Sequence, residues 1–104
     1  MATTSKTLAR TAAATSNATL YTVPTTSTTT VVTDVVVTNT AASAATFTLN
    51  LDGVAVLSGV AISANSSAFF SLKQVLQANA TPKTISGSAS AVTVNFHISG
   101  VEIV

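Results

Sequence analysis

Thr46–Leu51 alternates without a break, with Phe47, Leu49 and Leu51 on one face and Thr46, Thr48 and Asn50 on the other. Asp52-Gly53 follows, and apolar residues resume at Val54, Val56 and Leu57. A period of two puts successive side chains on opposite faces of a strand. An Asp-Gly pair between two such runs suits a type I′ turn, whose central residues both need positive φ. This hairpin is the strongest local signal in the chain.

Strand patterns continue on either side. Leu20–Val23 reads as a short strand ended by Pro24, with a polar turn at Thr25–Thr29. Val31–Asn39 (VVTDVVVTN) is β-branched almost throughout and reads as a strand buried on much of both faces. Thr40–Ala44 is a loop of small residues, Gly59 marks a bulge or bend before Val60–Ile62, and Asn65-Ser66-Ser67 forms a turn. Ala68–Leu72 is a strand carrying Phe69 and Phe70. Leu72–Gln77 has helix-like spacing but is too short for a helix, so it is a turn or a strand extension. A loop at Asn79–Pro82 leads to a weak strand, Thr84–Ser90, bent at Gly87. Val92, Val94, Phe96 and Ile98 share one face of the last long strand. A β-bulge at Ser99-Gly100 would keep Val101 and Ile103 on that same side.

Seven to eight short strands with turn signals between them predict an all-β fold, an antiparallel β-sandwich or a jelly-roll-like barrel. At 104 residues the chain supports one modest core. The sandwich domain is assigned to residues 20–104, with Tyr21, Phe47, Phe69, Phe70 and Phe96 as its aromatic core. Residues 1–19 hold only Leu8 as a large apolar group and read as an extended N-terminal arm or a first edge strand, with a mobile end favoured.

Composition removes most chemistry. Thr, Ser and Ala supply 51 of the 104 residues, and only 7% are charged. The ionisable groups are Lys6, Arg10, Asp34, Asp52, Lys73, Lys83, His97 and Glu102, and there is no cysteine. Acid–base and nucleophilic schemes need two or more such groups held together, which this scatter does not suggest. No catalytic residue, metal site or cofactor is therefore expected. With four Lys and Arg and a net charge of +1, nucleic-acid binding is not expected either, since each phosphate contact needs a cation. Thr, Ser and Asn interrupt every Val run, so no membrane-spanning stretch is expected. The first twenty residues lack an apolar signal-peptide core, so the chain is expected to be made in a cytoplasm, and its three Asn-x-Ser/Thr sequons to stay unglycosylated.

Three residues stand out as partner-binding candidates. Lys6 and Arg10 place two of the four cations in the N-terminal segment. Asp34 sits in a Val-rich strand, where a carboxylate must reach solvent, a backbone N–H or a cation. A surface so poor in charge repels its neighbours weakly and suits a permanent assembly.

The segments LYTVP (residues 20–24), VVTDVVVTNTAASAA (31–45) and VTVNFHISGVEIV (92–104) resemble a family of small virion proteins of tailed bacteriophages. The resemblance runs through residues 20–104 and implies a β-sandwich accessory protein without catalytic residues. It implies a capsid decoration (cement) protein on the exterior of the particle, assembled in the host cytoplasm. Its partner would be the major capsid protein or other virion structural proteins, and it would act as a homo-oligomer, a trimer being one form. A neck, tail or fibre component is the second expectation. A carbohydrate-binding or adhesin module ranks below both, as the chain has no Trp and one Tyr.

Overall fold

The computed structural model describes residues 3–23, 29–77 and 83–103. Eight strands follow one another: β1 (Thr3–Ala12), β2 (Ala18–Val23), β3 (Thr29–Asn39), β4 (Ala45–Leu51), β5 (Val54–Ile62), β6 (Ser66–Gln77), β7 (Lys83–Ala89) and β8 (Val94–Ile103). They form two four-stranded sheets, ordered β1-β8-β3-β6 and β2-β7-β4-β5, and every pairing is antiparallel. Except for the β4–β5 hairpin, each connection crosses from one sheet to the other. That order is the double Greek key of an eight-stranded jelly roll.

The hairpin signal is realised at Asp52 and Gly53, with φ of 56° and 76°. Asp52 N donates to the Thr84 carbonyl at 2.8 Å, and its Oδ1 accepts from Thr84 N at 3.2 Å, tying the turn to β7. The turn expected around residues 25–28 and the loop at 79–82 lie outside the described residues. Leu72–Gln77 continues β6 as strand.

The core lies between the sheets. Val23, Val32, Val35, Val37, Leu49, Ile85, Val94, Phe96 and Ile98 are fully buried, and Phe47 nearly so. Phe47 stands edge-on to Phe96 and to Phe70, with ring centroids 5.9 and 5.8 Å apart. Such edge contacts add to the area-based stabilisation of aromatic burial. Asn39, also fully buried, ties the end of β3 to its surroundings. Its Nδ2 donates to the Ser43 carbonyl at 2.8 Å, and its Oδ1 accepts from Ala41 N at 3.1 Å and from Thr93 Oγ1 at 3.3 Å.

Of the two readings for residues 1–19, the edge strand and not the mobile arm is what residues 3–12 form, paired to β8 along their whole length, with Leu8 and Ala9 buried and Ala13 just beyond also buried. The segment anchors with small side chains plus one leucine, which is why its composition reads as an arm. Other expectations are corrected. β3 alternates between buried inner residues and half-exposed outer ones and is not buried on both faces. Phe69 leaves the aromatic core: it is 76% exposed, because the adjacent Phe70 takes the inward position in β6.

The bulge expected at Ser99-Gly100 is absent, and β8 alternates without a break. The extra residues sit in its neighbours: Leu8 in β1, between Thr7↔Ser99 and Ala9↔Ile98, and Thr33 in β3, between Val32↔Gly100 and Asp34↔Ser99. A third bulge places Leu20 as the extra residue of β2 against β7. Gly100 makes room for the Leu8 bulge, and Gly87 for the close approach of β4. A Cβ at Gly100 would strike the Val31 carbonyl oxygen and sit 2.8 Å from Leu8 Cδ1. At Gly87 it would sit 2.7 Å from the Thr48 carbonyl oxygen and 3.5 Å from Leu20 Cδ1. Gly87 therefore serves close approach between strands, where a bend was expected.

Candidate binding faces

The bulge at Leu8 decides where the two N-terminal cations go. In an unbroken strand Lys6 and Arg10, four residues apart, would share a face. The extra residue between them reverses the phase. Lys6 pairs with Gly100 on the inner side, and Arg10 pairs with His97 on the outer side.

Lys6 Nζ then reaches Glu102 Oε1 at 3.1 Å, the ion pair of the described residues. It lies 5.5 Å from the centre of the Tyr21 ring and 3.5 Å from the Tyr21 hydroxyl. Glu102 faces inward because β8 lacks the expected bulge; its side chain is 11% exposed, that of Lys6 43%. The contact therefore ties β1 and β8 of one sheet to β2 of the other at one end of the sandwich. Glu102 Oε2 and Thr30 Oγ1, on directly paired residues, are both buried without a hydrogen-bond partner among the described residues.

Arg10 and Asp34 lie on the outer face of the β1-β8-β3-β6 sheet. Arg10 pairs with His97, His97 with Val36 and Val36 with Phe69, so one row of side chains crosses all four strands. The next row runs Thr7, Ser99, Asp34, Ser71. Another runs Ser5, Val101, Val31, Val75, with Val75 58% exposed. The face carries opposite charges, an imidazole and exposed apolar groups together.

The opposite face differs. The outward residues of β2, β7 and β4 include Thr22, Thr84, Ser88, Thr46, Thr48 and Asn50, a coat of hydroxyls and one amide. Among the described residues no three His, Cys, Asp or Glu groups lie together where they could hold a metal ion. Of the three candidates taken from sequence, Arg10 and Asp34 share a face and Lys6 is engaged inside. Phe69 and Val75 are the binding-face residues that sequence reasoning missed. The signal was the adjacent Phe69-Phe70 pair, since only one of two neighbouring strand residues can face the core.

No protein-family model and no curated protein sequence matches the chain. Solved structures do match, among them two from viral particles. One is a chain in the crystal structure of the T13 IBDV viral particle, 12% identical, with a TM-score of 0.57. The other is a chain in the structure of infectious bursal disease virus, Gx strain, 16% identical, with a TM-score of 0.51. The likeness is one of fold. It covers 97% of this chain in both cases, while this chain spans 30% of each of those two chains.

Proposed function

We propose that this chain is a virion structural protein of a tailed bacteriophage, a decoration (cement) protein that binds the major-capsid lattice from outside and braces it. The observation that carries the reading is the fold: an eight-stranded jelly roll, an architecture used in viral capsid domains, whose near-complete length overlays chains from viral particles. The resemblance of residues 20–104 to phage virion proteins supports the same reading and narrows it to tailed phages. A coat with few charges fits a part that is packed against others. Arg10, Asp34 and Lys73 are charged groups offered on the mixed face, while Lys6 serves the protein's own sandwich.

Co-sedimentation tests the reading. Purified chain added to shells that lack it is expected to saturate in proportion to the major shell protein. Saturation at a small fraction of that amount would indicate a neck or tail position, and no binding to any particle component would overturn the assignment.

A further inference from the structure

The two outer faces are unequal, and the mixed one matches a copy of itself. The outer face of the β1-β8-β3-β6 sheet holds Arg10 on one edge strand and Phe69 on the other, at opposite ends of a single row. Phe69 is 76% exposed and Arg10 is exposed. An exposed phenyl ring on an edge strand loses apolar area to water, and a guanidinium over its face is an attractive partner for it.

We propose that this face binds a second copy of the chain, about a two-fold axis parallel to the strands and running between β8 and β3. A rotation of that kind lays β1 of one copy over β6 of its partner and β8 over β3. Each β8 residue then meets the copy of its β3 neighbour, and each β1 residue the copy of the β6 residue at the far end of its row, the self-complementary arrangement of a two-fold interface. The register brings favourable partners together in the following rows. Arg10 covers Phe69, twice over. Val101 meets Val31, and His97 meets Val36. Ser99 meets Asp34, giving that carboxylate a hydroxyl donor, and Asn95 meets Thr38.

The axis keeps the strands of the two sheets in nearly the same direction, and sheet twist then gives the aligned packing common between stacked sheets. Size suffices as well. The molecule measures 45 × 22 × 17 Å, so its broad face is comparable with the roughly 800 Å² per partner of a standard interface. The hydroxyl face offers no ionic or large apolar side chain at Thr22, Thr46, Thr48, Asn50, Thr84 and Ser88 and is left outside this interface, open to other partners.

Sedimentation velocity on the purified full chain tests this without any particle, so its outcome is separate from that of the virion assignment. A species of twice the 10.4 kDa chain mass is expected, dissociating on dilution. Phe69→Asp is expected to raise the dissociation constant by at least about tenfold, as loss of an aromatic anchor that packs under a guanidinium does. Arg10→Glu, at the other end of the row, shifts it in the same direction and serves as the second variant should Phe69→Asp lose its fold by circular dichroism. Thr46→Asp, on the hydroxyl face, is expected to leave it unchanged. A monomer at every concentration, a stoichiometry other than two, or Thr46→Asp weakening association as much as the mixed-face variants would overturn the proposal.

Discussion

Lys6 on β1 and Glu102 on β8 form an ion pair of 3.1 Å across the inner side of one sheet, with Tyr21 of the other sheet beside the ammonium group. Neither partner can be lost symmetrically. Glu102 is the buried member, so removing Lys6 strands a carboxylate, whereas replacing Glu102 frees an ammonium that already reaches water. Lys6→Met is therefore expected to cost about 1–2 kcal/mol, discounted from a fully buried pair because Lys6 is well exposed. Glu102→Gln is expected to cost less. Urea midpoints of the two variants check the order, and equal losses would contradict it.

Thr30 carries a fully buried hydroxyl with no partner among the described residues, directly across from Glu102. Valine has nearly the same shape and removes the desolvation cost of an unsatisfied group. Thr30→Val is expected to raise stability by about 1 kcal/mol, seen as a higher melting temperature. A clear loss would mean that the hydroxyl is paired in solution.

Gly100 sits where the Leu8 bulge and the Val31 carbonyl close over β8. Gly100→Ala forces both to move and is expected to cost about 1–3 kcal/mol, the range of overpacked interiors. Leu8→Ala in the same chain removes one of the two obstacles. The double variant should then be more stable than the sum of the single losses predicts. Strict additivity in chemical denaturation would show that Leu8 does not press on this site.

How much of this was legible follows from what alternation can and cannot carry. The β4–β5 hairpin, the inward sets Phe47/Leu49 and Phe96/Ile98 and the all-β class all rest on period-two patterns that the core enforces. Bulges interrupt that period, and a lone inserted residue looks like any other. The phase shift at Leu8 therefore hid the opposite fates of Lys6 and Arg10, and the unbroken β8 hid the inward turn of Glu102. Phe69 was misassigned because aromatic character alone suggested burial, though its neighbour Phe70 already claimed the inner face.

Residues 3–12 contribute a full edge strand, two buried side chains and the Lys6 end of the ion pair. Deleting them exposes the edge of β8 and uncovers the inner face near Ile98 and Phe96, so the remaining chain is expected to aggregate or unfold. A truncated chain that stays soluble and melts cooperatively near the full-length temperature would show that β1 is a separable arm.

The account turns on the chain being a stoichiometric part of a virus particle. Quantitative mass spectrometry of gradient-purified virus particles, raised from the genome that carries this coding sequence, tests this proposal most directly. The expected result is this chain present in fixed proportion to the major shell protein. Its absence from purified particles, with the free chain recovered instead in the infected-cell supernatant, would contradict the account.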